Sequence, residues 1–413
     1  MFSLIWAMAI RVAASATYIA AIATGSHFSG TGPMAAVVYA MAVCYVASAL
    51  GRIGTDQLIS SKSPLFHEAR NEDAASLHYS SLILSAIPVI LAALAIDASV
   101  RSLGYHDGQS LPPFALGGAA LAFALAQTAA TSWQASGFNN FSVVLFPLLP
   151  NLLLLAGIAI FGQGLPVSLL GLTFAVPAVI GIVSYALRVP FSRHHISTHW
   201  LWQGAPFYLM GLSFYVTAWG PFTFLPLFLP ANELLLLNVA LRINSIQSLP
   251  VNAISSYLMP KFALTFQRQD MAQAGKIMRD VVMITLAFQA AYLVVIVLPW
   301  LFPGMVSAQL RTMVPLLLIL SIGQFVNGMT GPCGPALLMS GSQKLMSATS
   351  AFLTILFIAS GIVFVMQFGL IGFSICVTFF VAVQNLLYAI LLYRRTGLSP
   401  FGHIARNTPA PRR

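Results

Sequence analysis

One stretch of this sequence places an arginine, amides and hydroxyls on a single face of an otherwise apolar helix. Arg242 lies near the middle of the apolar run 232–257. Polar residues flank it at alternating steps of four and three, the spacing that brings side chains to one side of a helix. A helix in lipid carries such a face only where it meets other protein or a wet cavity. With Arg242, the residues of this face that we assign to a substrate site are Asn238, Ser245 and Asn252.

A second arginine, Arg11, lies about as deep in the first apolar run, 3–23, which enters the membrane from the opposite side. An arginine at the bilayer centre costs roughly 2.5–3.5 kcal/mol on an insertion scale. None of the nine Asp and Glu residues falls at mid-depth in the predicted spans. We therefore expect Arg11 and Arg242 to line a cationic cavity that binds an anion. The alternative is that each arginine bonds to backbone carbonyls or extends to the membrane surface.

Three further residues are weaker candidates for the same site. Arg52 ends the second apolar run with Asp56 one turn later, which suits either a structural ion pair or an entrance contact for an anionic head group. Gln324 and Asn327 lie one turn apart in the tenth run. Their amides suit sugar hydroxyls, but they equally suit hydrogen bonds between helices.

The sequence lacks the motifs of other chemistry. It contains no nucleotide-binding loop and no nucleophile–base arrangement. Cys44, Cys333 and Cys376 are scattered and form no metal-ligand pair. We therefore predict a protein that is not an enzyme and uses neither a cofactor nor a metal.

The composition explains where these polar residues must lie. Of 413 residues, 58% are hydrophobic and 7% are charged, whereas soluble chains carry roughly 25% charged residues. The mean hydropathy is +0.87. With roughly 20 apolar residues needed for each membrane-spanning helix, about twelve spans fit the chain and no separate soluble domain does. The net charge of +10 then reports membrane topology rather than nucleic-acid binding.

The apolar runs divide the chain into two similar halves. The predicted parts are an N-terminal bundle of six helices over 1–190, a cytoplasmic linker over 191–203, a C-terminal bundle of six helices over 204–396 and a basic cytoplasmic tail over 397–413. Two weak motif repeats, with spacings of 198 and 204 residues, join the halves. An offset of six helices makes the halves parallel, and transporters of that kind hold substrate near the midplane between them.

Basic residues fix the predicted orientation. With twelve spans, fifteen of the 19 Lys and Arg residues fall on one side of the membrane, and Arg101 and Arg311 fall on the other. Because cytoplasmic loops are rich in Lys and Arg, this places both termini in the cytoplasm.

Two segments resemble a known family. The run ALRINSIQSLPVNAISSYLMPKFALTF (Ala240–Phe266) is similar to the eighth span of bacterial oligosaccharide flippases, which transport O-antigen and other polysaccharide precursors. The run GPCGPALLMSGSQKLM (Gly331–Met346) is similar to the end of their tenth span, and Gly25–Ser60 resembles their first two spans more loosely. These flippases form the polysaccharide-transport branch of the superfamily that also contains the MATE exporters. The proline-rich segment Gly220–Pro226 departs from the family pattern.

The resemblance implies an all-α polytopic fold in which two bundles of six helices form a V around a central cavity. It also implies a substrate, an oligosaccharide linked to undecaprenyl pyrophosphate, which would pass from the cytoplasmic to the periplasmic leaflet for cell-surface polysaccharide synthesis. We expect transport by alternating access in the bacterial inner membrane. The expected contacts are the substrate, the lipid bilayer and a polysaccharide polymerase or glycosyltransferases, without nucleic acid.

Three other functions remain open at this point. A lipid II flippase would share the mechanism. A cation-coupled multidrug exporter of the MATE type needs membrane carboxylates, and the sequence has none at mid-depth. A membrane scaffold without transport activity would leave two costly arginines unexplained.

The predicted orientation can be tested with reporter tags. Tags placed after residue 400 and beside His195 should both report the cytoplasm, and a tag beside Asp107 should report the outside, because the basic loops lie on the cytoplasmic side. The measurement is the activity of a compartment-specific reporter fused at each site. An outside signal at either of the first two positions would overturn the count of twelve spans.

Overall fold

The structure is a computed structural model, and it is all-α over the residues that it describes. The described residues are 2–60, 62, 71–103, 112–162, 169–189, 191, 196–251, 262, 265–266, 268–301 and 308–403. Asn252 of the predicted site lies outside them, as do His194, His195 and Asp107.

Helices follow one another along the whole described chain. Those of the first half are α1 (Phe2–Ser29), α2 (Thr31–Gly51), α3 (Asn71–Leu84), α4 (Ala86–Ser102), α5 (Pro113–Ala135), α6 (Asn139–Val143), α7 (Leu149–Phe161) and α8 (Leu169–Arg188). Those of the second half are α9 (His199–Trp219), α10 (Pro221–Phe224), α11 (Ala231–Ser245), α12 (Met271–Leu301), α13 (Ala308–Thr330), α14 (Cys333–Met339) and α15 (Gln343–Thr396). A π-helical segment, Val144–Leu148, joins α6 to α7.

The described helices account for the twelve predicted spans. Ten helical segments are long and apolar enough to cross a membrane, and the shorter apolar helix Phe207–Trp219 is the seventh span. The segment Gln343–Thr396 contains two spans, because Gly369, with φ 57° and ψ −141°, interrupts its 54 residues. The prediction of an all-α polytopic membrane protein is therefore confirmed.

The chain forms two compact units. One comprises Ile5–Leu235, and the other comprises Leu236–Arg413 together with Met1–Leu4. The seventh span, α9, therefore belongs to the first unit, whereas the sequence predicted that it begins the C-terminal bundle at 204. The predicted boundaries of the two bundles rest on the sequence repeat, and they stay a prediction.

Helix α2 is the core of the first unit. It is built almost entirely from Ala, Gly, Val and other apolar residues, and it packs against α4, α5 and α9. Small residues let neighbouring helices approach closely in a membrane, where packing rather than water drives association. By contrast, α4 directs Ile87 and Leu91 outward, 70% and 60% exposed, which suits contact with lipid. The position of α2 decides where its C-terminal arginine can lie.

The turn after α2 packs tightly on the start of α9. Gly54 has φ 75°, and a Cβ there would lie 2.4 Å from the carbonyl oxygen of Gly204. A Cβ on Gly204 would in turn lie 2.7 Å from the carbonyl oxygen of Ile53. Two backbones therefore meet at this point without side chains between them. The contact fixes the end of α2, and with it Arg52, against the seventh span.

Helix α11 does not continue unbroken through the membrane. It ends at Ser245, and the next three residues, Ile246–Ser248, form a 3-10 turn. Pro250 lacks the N–H that would bond to the Ile246 carbonyl, so the ladder is interrupted one turn before the proline. The interruption before Pro250 thus takes the form of a tightened turn.

A matched pair of glycine substitutions tests the contact between α2 and α9. Gly54→Ala should destabilise the protein more than Gly137→Ala does. Both glycines have positive φ, 75° and 88°, and share a conformational cost of about 1 kcal/mol. Gly137 has open space around its Cβ position, whereas the methyl group added at Gly54 would be overpacked, at a further cost of about 1–3 kcal/mol. The measurement is the thermal unfolding midpoint in detergent, and equal shifts for the two variants would contradict the contact.

Candidate functional site

Arg52 is fully buried at the end of α2, where polar and aromatic groups surround its guanidinium. The side chain is 1% exposed, and its Nη1 forms an ion pair with the Asp56 carboxylate. Its Nε donates a hydrogen bond to the Ser48 carbonyl at 3.1 Å, and its Nη2 donates to Oε1 of Gln127 at 3.2 Å. The guanidinium carbon lies 5.6 Å from the centre of the Tyr215 ring. The described contacts favour the structural ion pair over the entrance contact.

The same residues join three helices of the first unit. Gln127 on α5 accepts from Arg52 and donates to the Tyr215 hydroxyl on α9. Burial raises the pKa of the Asp56 carboxyl, and the neighbouring Arg52 guanidinium opposes that rise. The carboxylate therefore depends on Arg52 to remain ionised. We call Arg52, Asp56, Gln127 and Tyr215 the Arg52 network.

Next to this network, aromatic side chains of four helices contact one another. The Tyr45 ring stacks on Trp219 with centroids 4.0 Å apart, and it contacts Phe123 at 4.2 Å. Trp219 also meets Tyr18 of α1 edge-on at 6.4 Å. Aromatic pairs of this geometry add about 0.5–1.5 kcal/mol each beyond their buried area. They hold α1, α2, α5 and α9 together in the first unit.

A second buried carboxylate lies in the same unit and is also paired. Asp97, on α4, is 3% exposed. It accepts a hydrogen bond from Nε of Arg101 at 2.8 Å and another from the Tyr39 hydroxyl at 3.1 Å. Asp56 and Asp97, the two buried acids among the described residues of this unit, are thus each paired with an arginine one turn away.

Arg11 is part-buried on α1, among apolar neighbours of the same helix. Within the described part of the chain, no hydrogen bond or ion pair joins its guanidinium to another residue. Its environment therefore fits the sequence expectation of a membrane arginine without a carboxylate.

The predicted polar face of α11 is directed into protein. Asn238 is fully buried, and Arg242 and Ser245 are part-buried. The Ser245 hydroxyl donates to the Arg242 carbonyl at 2.7 Å, next to the 3-10 turn. Ala240, from the other side of the helix, packs on Leu316 and Leu320 of α13.

Gln324 and Asn327 lie together on α13, as their spacing predicts. Nδ2 of Asn327 donates to Oε1 of Gln324 at 3.1 Å. The Gln324 carbonyl accepts from Nε2 of Gln289, on α12, at 2.6 Å. Both residues are part-buried, and their side chains bond to each other within α13, while the bond to α12 uses the backbone of Gln324.

Sequence reasoning missed several polar residues that the fold buries. In the second unit these are Asn244, Gln247 and Gln289, which are 3%, 0% and 0% exposed. The available signal was an amide within an apolar run, which is costly in lipid and therefore marks a protein-facing position. In the first unit the role of Tyr215 had no comparable signal, because a tyrosine is common in membrane helices.

The described residues contain no group of three or more His, Cys, Asp or Glu side chains arranged to hold a metal ion. The buried His78 instead pairs through Nδ1 with the Ser132 hydroxyl at 2.6 Å.

Several solved structures with the same fold are MATE transporters. One is an inward-facing conformation of a multidrug resistance MATE family transporter of the MOP superfamily, with TM-score 0.69, 16% identity, and coverage of 95% of this chain and 98% of that one. Another is the MATE multidrug transporter DinF-BH, with TM-score 0.64, 20% identity, and coverage of 95% and 94%. A mutant of the Vibrio cholerae MATE transporter VcmN has TM-score 0.62, 15% identity, and coverage of 95% of both chains.

No protein-family model matches the sequence, and no curated protein matches it. The structural likenesses show the fold: this chain is a multi-pass membrane protein with the fold of MATE transporters.

The Arg52 network predicts a pH-dependent defect in one variant. Arg52→Met should lower stability by about 3–5 kcal/mol because it leaves a buried, unpaired carboxylate. Burial raises the pKa of Asp56 in the folded protein above its value in the unfolded chain. At low pH the buried carboxyl is therefore protonated and uncharged, and the variant keeps its stability. As the pH rises through the folded pKa, the carboxyl ionises without a partner and the variant loses stability. Thermal unfolding in detergent at pH 5 and pH 8 should therefore show the larger defect at pH 8.

The double variant Arg52→Met/Asp56→Asn is the control for this prediction. It removes the buried charge as well as the cation, so it should be more stable than Arg52→Met at pH 8 and should lose the pH dependence. If both variants unfold at the wild-type temperature, the ion pair does not stabilise the fold.

Proposed function

We propose that this protein is a flippase that moves a lipid-linked oligosaccharide across the bacterial inner membrane. The substrate class is an oligosaccharide on undecaprenyl pyrophosphate, carried from the cytoplasmic to the periplasmic leaflet by alternating access. Arg11 and Arg242 contact the pyrophosphate, while amides of α11 and α13 contact the sugars. Both termini are cytoplasmic in this proposal, and the protein works beside a polymerase or glycosyltransferases.

The observation that carries the proposal is the contrast between Arg11 and Arg52. Arg52, at the end of α2, has a full set of described partners, including a carboxylate. Arg11 lies within α1, a helix of 28 residues without Asp or Glu, and no described residue bonds to it. A phosphate suits such a guanidinium, because its oxygens accept two parallel hydrogen bonds and replace the lost hydration.

The state of the acidic residues supports an anionic rather than a cationic substrate. A site for a drug cation needs a membrane carboxylate that is available to the ligand. Asp56 and Asp97 are both buried, and both are engaged by arginines. The other described acids of the spans, such as Glu72, Glu233 and Asp280, lie toward the ends of their helices, whereas the polar residues deeper in α11 and α13 include amides and hydroxyls, which suit sugars.

Gln324 and Asn327 belong to the proposed sugar contacts. Each is part-buried on α13, so neither side chain is sealed in the helix interface. Ser245 of α11 is part-buried like them, whereas Asn238, the other described member of this set, is fully buried in the described structure. Neutral amides and hydroxyls can exchange hydrogen bonds with sugar hydroxyls without a large desolvation cost, which charged groups would incur.

A second candidate function is a cation-coupled multidrug exporter. The fold favours it, since solved structures that share the fold are multidrug MATE transporters. The distinction between the two candidates lies in the sign of the charge presented to the ligand. A lipid II flippase, a third possibility raised by the sequence, shares the pyrophosphate chemistry.

The proposal predicts the effect of removing each arginine. Arg242→Ala and Arg11→Ala should abolish complementation of a flippase-deficient strain while the proteins still insert and accumulate. Arg242→Lys should retain part of the activity, because lysine keeps the charge but loses the planar fork that suits phosphate. The measurement is surface polysaccharide at matched protein levels, with the exposed Arg279→Ala as the control.

Normal polysaccharide in both alanine variants would contradict the anion site. Loss of both proteins from the membrane would instead show that the arginines are structural. Drug resistance conferred by the wild-type protein, and lost in Asp97→Asn at matched protein level, would favour the exporter.

A further inference from the structure

Arg188 is the last residue of α8, and its guanidinium lies over two aromatic rings from α5 and the turn that follows α5. The guanidinium carbon is 4.7 Å from the centre of the Phe138 ring and 5.8 Å from that of the Trp133 ring. The two rings meet edge-on, with centroids 5.2 Å apart. The faces of aromatic rings attract a cation. The rings therefore hold a positive charge in place at the end of a helix.

The residues around this charge are themselves fixed to three helices. Nε1 of Trp133 donates to Oγ of Ser184, on α8, at 3.2 Å, which ties the indole of α5 to the last turns of α8. The carbonyl of Val189, directly after Arg188, accepts a hydrogen bond from the Tyr79 hydroxyl of α3. The position of the guanidinium is thus set by contacts that do not involve a ligand.

The guanidinium has no carboxylate partner in the described part of the chain. The three ion pairs found there all involve other arginines, and no described residue accepts a hydrogen bond from Arg188. Its side chain is exposed. Because the rings cover a face of the planar group, its N–H donors, which lie in the plane, remain available. Such a fork of donors suits the oxygens of a phosphate.

The charge lies where two membrane-spanning segments end together. The apolar span of α5 is Phe114–Ala135, and that of α8 is Leu170–Arg188. The bond between Trp133 and Ser184 brings these two ends to the same level. Arginine and tryptophan side chains at the ends of spans are typical of the level of the lipid head groups. Arg188 therefore lies where a lipid phosphate would lie.

Exposed apolar side chains surround the charge. Leu187 is 82% exposed and Phe138 is 45% exposed. Phe191 packs edge-on against Tyr79, with centroids 5.2 Å apart, and is still 50% exposed. These side chains can contact acyl chains while the guanidinium of Arg188 bonds to a head group. The combination suits an amphiphile, whereas a free anion would use the charge alone.

We propose that Arg188, Trp133 and Phe138 form a binding site for an anionic phospholipid. The guanidinium donates to the phosphodiester oxygens, the two rings orient it, and the exposed apolar side chains contact the acyl chains. Basic pockets between membrane helices bind anionic head groups in this way. A free phosphate ion would make the charge contact without the acyl contacts. A purely structural arginine would need only the rings and the partial negative charge of the helix end.

Binding is measured on the full-length protein in detergent with phosphatidylcholine, as phosphatidylglycerol replaces a growing fraction of that lipid. The thermal unfolding midpoint of the wild type should rise saturably with phosphatidylglycerol, because a ligand of the folded state stabilises it. Arg188→Gln should weaken the apparent affinity about tenfold, since it removes charge-assisted hydrogen bonds. Arg395→Gln is the matched control and should keep the wild-type affinity. Arg395 is also exposed in the last turn of a helix, and no described ring lies over it.

Phe138→Leu tests the rings while it leaves the charge and an apolar side chain in place. It should weaken the apparent affinity about threefold, because cation–π attraction is modest at exposed sites. If Arg188→Gln does not accumulate, this variant provides the test. Unchanged affinity in the variants that accumulate would show that the arginine is only structural, and would overturn the inference.

Inorganic phosphate and inorganic pyrophosphate, each added without phosphatidylglycerol, identify the source of the anion. Neither should raise the unfolding midpoint of the wild type, because neither brings acyl chains. A rise that matches the effect of phosphatidylglycerol and is lost in Arg188→Gln would assign the site to a free anion and overturn the lipid assignment. None of these results bears on the flippase proposal, because no measurement involves its substrate.

Discussion

Every polar group buried in this protein must find its partner within the protein, because lipid offers none. The Arg52 network is the clearest case. The guanidinium of Arg52, at the end of α2, pairs with the Asp56 carboxylate of the following turn. It also bonds to the Gln127 amide of α5 and lies against the Tyr215 ring of α9. The partners come from three separate parts of the chain, so satisfying one charge also fixes how α2, α5 and α9 pack. The assignment of the seventh span to the first unit follows from this contact and from the glycine contact beside it.

The two units meet the same constraint with different chemistry. The first unit uses ion pairs, with Arg52 to Asp56 and Arg101 to Asp97, and aromatic stacking between them. The second uses neutral amides and hydroxyls, such as Gln247 with Ser321 and Gln289 with the Gln324 carbonyl. Both kinds of pair hold helices together, because each satisfies polar groups that lipid cannot.

The substrate of a transporter with this fold depends on which charged side chains remain available to contact a ligand. The fold itself is shared with multidrug MATE transporters, and a fold does not determine a substrate. In the described part of the first unit the buried acids Asp56 and Asp97 are paired with arginines, and Arg11 has no described partner. An anionic ligand fits that balance better than a cationic one, and this preference supports the proposal of a pyrophosphate-linked substrate.

The sequence by itself determined the class of this protein. Long apolar runs predict membrane helices, since a hydrophobic span needs only local composition and length. The same local reasoning placed Gln324 and Asn327 side by side, because that pair depends only on spacing within one helix. It did not find that Arg52 bonds to Gln127 and lies against Tyr215, or that α9 joins the first unit. Those features depend on which helices lie side by side. Helices that are far apart in the chain become neighbours through tertiary packing, which no local sequence pattern encodes.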